Sequence, residues 1–116
     1  MPGSAGTPLD RGLAHAARFN EAVVAGSWAT FAERFAPDAT LRFPDIPVPD
    51  AHGRDTIRGA YEAHPPDETL RVREAVADPD EPGVDLVQFV WASGATGTMR
   101  IRWSDHLVAD LAITFG

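Results

Sequence analysis

Three oxygen-bearing side chains in this 116-residue chain stand where acid–base chemistry could be done. Tyr61 falls at helical spacing with Ile57 and Ala60, so helix phase turns its hydroxyl toward the interior. There it would donate to a substrate oxygen or, as an ordinary core tyrosine, to a backbone partner. Asp85 alternates with Val87, Phe89 and Trp91 on one strand face. A carboxyl buried among those groups would keep its proton to higher pH, as a general acid requires; at a solvated strand start it would do no chemistry. Asp45 lies in the stretch Pro-Asp-Ile-Pro-Val-Pro-Asp, 44–50, as a mobile acid or base or simply as a turn aspartate. Glu74 shares the face of Val72 by the same alternation, unless a bulge in that strand turns it outward.

Other chemistries lack their residues. The chain has no Cys, which excludes disulfides, thiolate nucleophiles and Cys-ligated zinc or iron–sulfur sites. His15, His52, His64 and His106 are scattered with no pair at ligand spacing, so neither a metal site nor a cofactor is expected. Ser93-Gly-Ala-Thr-Gly97 sits between two strands and not before a helix, which makes it a turn and not a phosphate loop. Ser104-Asp105-His106 are consecutive, and neighbours along a turn cannot build the spatial relay of a nucleophilic triad.

Positioning these side chains falls to helices first and strands after. Thr7 fits an N-cap with Pro8 at the first helical position and Asp10 closing a weak capping box. Leu9, Leu13, Ala16, Phe19 and Val23 then recur as one apolar stripe up to a stop at Gly26. A second helix opens at Ser27, carries Trp28, Phe31, Ala32 and Phe35 on one face, and ends at Pro37-Asp38. A short strand, 39–43, leads into the proline-rich stiff loop, and a third helix runs from about Gly53 to Ala63 before His64-Pro65-Pro66 stops it. Alternation then predicts strands over 69–77, 84–92, 98–103 and 107–115, with Leu111, Ile113 and Phe115 facing inward. Helices followed by an antiparallel meander argue an α+β fold, three helices packed on one face of a curved sheet with room for a pocket between the layers. Residues 1–7 are expected to be a flexible tail and 8–116 a single domain.

Composition narrows the partners. Acidic residues number 17 against 10 basic ones, all Arg, for a net charge of −7. Such a chain is poorly suited to nucleic acid or to an anionic membrane surface. No apolar run approaches the roughly 20 residues of a membrane span. The first eight residues have no basic residue and no apolar core, so no signal peptide is expected and a cytoplasmic location is.

Three stretches carry a family resemblance: "FAERFAPDATLRFPD" (31–45), "HGRDTIRGAY" (52–61) and "VADLAITFG" (108–116). With the element order, they resemble the NTF2-like superfamily, in particular its SnoaL-like and ketosteroid-isomerase-like branch. The resemblance implies a cone-shaped α+β roll. It also implies positions for steroid-isomerase chemistry, in which an Asp base works with a Tyr and a protonated Asp at the oxyanion. Those positions fall here on Phe43, Phe19 and Met99, which supply neither a base nor a donor. The supporting tyrosine is retained as Tyr61. The epoxide-hydrolase branch needs Arg-x-Asp on one strand, where this chain has Arg100-Ile101-Arg102.

The expected pocket is therefore apolar, lined by Phe19, Val23, Phe43, Tyr61, Phe89, Met99 and Phe115, for a compact polyketide-, terpenoid- or steroid-like molecule. Two functions fit. One is a cofactor-independent isomerase or cyclase using Tyr61 with Asp45 or Asp85; the other is a non-catalytic carrier or dimerising accessory module. Arg71, Arg73, Arg100 and Arg102 fall on the outer sheet face with Asp110 near them, which predicts a homodimer through that face.

Overall fold

The computed structural model describes residues 6–116; most of the expected tail lies outside the described residues. The first helix, α1, spans Pro8–Ala25 and begins as its cap residues require. Thr7 Oγ1 accepts from the Asp10 amide at 3.1 Å, and Asp10 Oδ2 accepts from the Thr7 amide at 3.2 Å. The shorter carboxylate of Asp thus completes the capping box in full. Gly26 ends the helix in the left-handed region, φ 69°, where only glycine sits without strain.

The buried face of α1 is rotated from the stripe read in the sequence. Gly12, His15, Ala16, Phe19 and Ala22 are buried, whereas Leu9 and Leu13 remain 42% and 48% exposed. Gly12 explains the rotation: a Cβ there would stand 3.2 Å from both methyls of Val87. The missing side chain lets the helix backbone approach the sheet, which turns His15 inward and the two leucines out.

Helix α2 is a short turn, Trp28–Ala32, and Phe35 does not belong to it. Phe35 instead opens strand β1, Phe35–Arg42, and is fully buried there. Its spacing from Trp28 and Phe31 fits a helix, but pairing with the last strand overrides that local preference. A two-residue strand, β2 (Ala51–His52), leads into α3, Arg54–Ala63. The guanidinium of Arg54 donates twice to the Phe35 carbonyl, at 2.9 and 2.7 Å, and so fastens α3 to β1. Strands β3 (Leu70–Ala77), β4 (Val84–Trp91), β5 (Thr96–Ser104) and β6 (Leu107–Phe115) follow.

The described residues form one six-strand sheet in the order β2-β1-β6-β5-β4-β3. β1 runs parallel to β6, and the remaining neighbours are antiparallel. The register of β3 slips between Val72 and Glu74, so that Glu74 pairs with Gln88 and lies exposed. That is the bulge that turns Glu74 away from the interior. Asn20 of α1 ties the helical layer to β3: its amide donates to the Leu70 carbonyl at 2.8 Å and its oxygen accepts the Leu70 amide at 2.9 Å.

Candidate functional site

The interior between the layers is built from rings. Tyr61 of α3 stacks on Trp28 with centroids 4.8 Å apart and planes 6° from parallel. Phe19 meets Trp28, Phe31, Tyr61 and Trp91 edge to face at 5.7–6.5 Å. Phe89, also buried, packs at right angles to Trp91, 5.2 Å away. Of the expected pocket lining, Phe19, Tyr61, Phe89 and Met99 belong to this buried cluster, and Val23 and Phe43 are half-buried against it. Phe115 departs from the expected inward set: it is 41% exposed, because its cross-strand neighbour is Gly97, which offers no side chain to pack on.

The three acid–base candidates occupy three different environments. Burial pushes the Tyr61 hydroxyl well above the ordinary phenol range, so it stays protonated. Asp45 is exposed in the proline loop, where its Oδ2 accepts the Phe115 amide at 2.8 Å. Asp85 is buried, 2% exposed, but it does not stand unaccompanied in the apolar face. Arg11 of α1 grips it with two parallel bonds, Nε to Oδ2 at 2.7 Å and Nη2 to Oδ1 at 3.0 Å. The Trp103 indole adds a bond to Oδ2 at 2.9 Å. This is the fork geometry that makes an arginine–carboxylate pair strong, and Arg11 is in turn held above its ordinary value, first by that hydrogen bond.

A cleft of about 390 Å³ opens beside this ion pair, at the end of the molecule where β6 begins. Asp10, Arg11, His15 and Arg18 reach it from α1, Arg34 from the α2–β1 junction, and Trp103, Asp105 and His106 from the turn between β5 and β6. Sequence reasoning left His15 among scattered histidines. Its ring lies against Phe31 and Phe35, 5.4 and 6.1 Å away by centroid, and is only 5% exposed. Burial, and then the charge of Arg18, lower its pKa to about 4, so it is neutral at physiological pH. The available signal was its i, i+4 spacing from both Arg11 and Phe19 on one helix face.

On the outer sheet face the expected arginine set divides. Arg100 is engaged within the chain by Asp78 at 3.4 Å and by Glu81. Asp110 pairs with Arg42 at 3.3 Å and not with the four arginines read from alternation. Among the described residues, no group of three or more His, Cys, Asp or Glu side chains converges as metal ligands would. No helix among them is long and apolar enough to cross a membrane.

Three helices laid on one face of this sheet, closed over an aromatic interior, make an α+β fold of the NTF2-like class. The chain belongs to the SnoaL-like domain family, whose model matches residues 16–110. No curated protein matches the chain. Solved structures are similar at low identity. An NTF2-like protein of unknown function from Burkholderia xenovorans is 14% identical, with TM-score 0.69, over 94% of this chain and 85% of that one. A SnoaL-like protein of unknown function from Burkholderia thailandensis is 13% identical, with TM-score 0.66, over 85% and 89%. A protein with a ketosteroid isomerase-like fold from Catenulispora acidiphila, solved with trimethylamine, is 13% identical, with TM-score 0.67, over 85% and 82%.

Proposed function

We propose that this SnoaL-like chain binds a compact hydrophobic small molecule, of polyketide, terpenoid or steroid type, at the end of the roll where β6 finishes, and holds it without acid–base turnover. The observation that carries this reading is the bond from the Phe115 amide to Asp45. It fastens the proline loop, with Ile46 and Val48 40% and 44% exposed, to the strand end that carries the exposed Phe115. Exposed apolar side chains gathered at one edge, beside half-buried Phe43, suit an apolar guest. Turnover is disfavoured because Asp85 has both oxygens committed to Arg11 and Trp103, and Tyr61 is stacked flat on Trp28.

A cofactor-independent isomerase or cyclase is the second reading. Asp45 favours it, as an exposed carboxylate at the same edge, with Tyr61 as the oxygen donor. Titration with steroid, terpenoid and aromatic polyketide probes, followed by tryptophan fluorescence, tests both. Saturable binding that Phe115→Asp weakens about tenfold and Asp45→Asn leaves intact supports the carrier. Turnover of a bound probe that Asp45→Asn and Tyr61→Phe abolish would establish the enzyme instead. The reading also makes the chain a homodimer through the outer sheet face. There Val76 is 52% exposed, and the Arg42 Nε and Asp110 Oδ1 atoms are buried without a partner among the described residues.

A further inference from the structure

The cleft at the start of β6 lies at the opposite end of that strand from Phe115, so it is a separate place from the apolar edge. Its cationic lining comes from segments far apart in the chain, and two of the groups are poised toward it. Arg34 makes no side-chain hydrogen bond or ion pair among the described residues. Its backbone is nonetheless fixed on both sides, donating to the Phe31 carbonyl at 3.1 Å and accepting from the Val108 amide at 2.9 Å. Arg18 uses one donor on the Ala14 carbonyl at 3.2 Å, and a guanidinium has five. Burial and then the charge of Arg34 hold Arg18 below its ordinary value, with Glu21 offsetting part of this, so the two cations that line the cleft repel each other. An anion seated between them would relieve that repulsion.

A second observation points to a ligand independently. His15 is 5% exposed, lines the cleft, and has no hydrogen-bond partner among the described residues. The fully enclosed unpartnered side-chain atoms among the described residues are Arg42 Nε and Asp110 Oδ1, so the His15 nitrogens keep contact with the cleft and are open to a guest.

We propose that this cleft binds a small organic carboxylate, its anionic head on Arg18 and Arg34 beside the imidazole of His15 and its apolar body against Ala14, Trp103 and Val108. The guanidinium fork suits a carboxylate and a phosphate alike, so the acidic neighbours decide between them. Asp10 and Asp105 also line the cleft, and their charges penalise a doubly charged guest more than a singly charged one.

Titration of the ¹⁵N-labelled chain with benzoate, benzamide and inorganic phosphate tests the assignment by NMR. Benzoate is expected to give saturable shifts at the Trp103 indole N–H and at the amides of Arg34 and Val108, with benzamide inert and phosphate weaker. Arg18→Gln and Arg34→Gln should each weaken benzoate about tenfold while leaving the melting temperature within a few degrees. Equal binding of benzamide, phosphate binding as tight as benzoate, shifts centred on Phe115 and Asp45, or benzoate affinity untouched by both substitutions would each overturn the proposal. The apolar-edge reading stands or falls separately, because none of these probes or variants touches that edge.

Discussion

Taking a carboxylate into an apolar sheet face costs several kcal/mol unless other groups replace the water it leaves, and Asp85 obtains that replacement from Arg11 and Trp103. Asp85→Asn should therefore cost about 3 kcal/mol in chemical denaturation, because it leaves the guanidinium facing a neutral amide. The double variant Arg11→Met, Asp85→Leu should recover much of that loss, which a pair needed only for structure permits. His15 gives a second measurable consequence. Its folded pKa of about 4 lies below the unfolded 6.5, so the unfolded chain takes up a proton that the folded chain refuses. Stability is complete above about pH 6.5, falls as pH drops toward 4, and has lost about 2 kcal/mol by pH 5. Arg18 is the charge that acts on this ring, and the other charged or titratable groups lining the same cleft are Asp10 and Arg11 of its own helix, Arg34, and Asp105 and His106 from the β5–β6 turn. Urea midpoints at pH 8 and pH 5 should converge in His15→Phe relative to the parent; equal slopes in both would show that His15 is not the titrating group. Alternation correctly placed Asp85 on the apolar face, but nothing local in the sequence named Arg11, 74 residues away, as its partner.

Elements were legible where one local rule decided them. Thr7, Pro8 and Asp10 mark the start of α1, Gly26 its end, and the prolines after His64 the end of α3, because caps and breakers act within a few residues. They were misread where tertiary contact decided. The face of α1 depends on Gly12 meeting Val87, and Phe35 belongs to a strand because β6 lies beside it. Gly97 is a further case of close approach. A Cβ there would stand 2.5 Å from the Phe89 ring and 2.7 Å from the Thr114 carbonyl oxygen, and backbone cannot give way cheaply. Gly97→Ala should cost about 1–3 kcal/mol and lower the melting temperature by several degrees. An unchanged melting temperature would mean that β5 and β6 can separate there without penalty.

The roll as a whole was readable from the order of its elements and from three sequence stretches, since helices ahead of an antiparallel meander leave few ways to bury both apolar faces. Its binding chemistry was less readable, because the cleft of Arg18, Arg34 and His15 is assembled by distances in space and by no spacing in the chain. At this scale the outer sheet face makes its own prediction. If two copies meet there, Val76→Glu with Leu86→Arg should convert a dimer to a monomer in sedimentation velocity. A parent chain that sediments as a monomer at tens of micromolar would remove the dimer. The parallel pairing of β1 with β6 sets Phe35 opposite Val108, so the first long strand of the sheet hydrogen-bonds to the last. That closure shapes the order of events during synthesis. The helices and β1 leave the ribosome before β3–β6, and β1 has no long neighbour until β6 has emerged. Their aromatic faces must stay open meanwhile, and contacts of such long sequence separation form slowly. The nascent chain is thus most prone to aggregate just before its final strand arrives, a hazard written into the topology and not into any one residue.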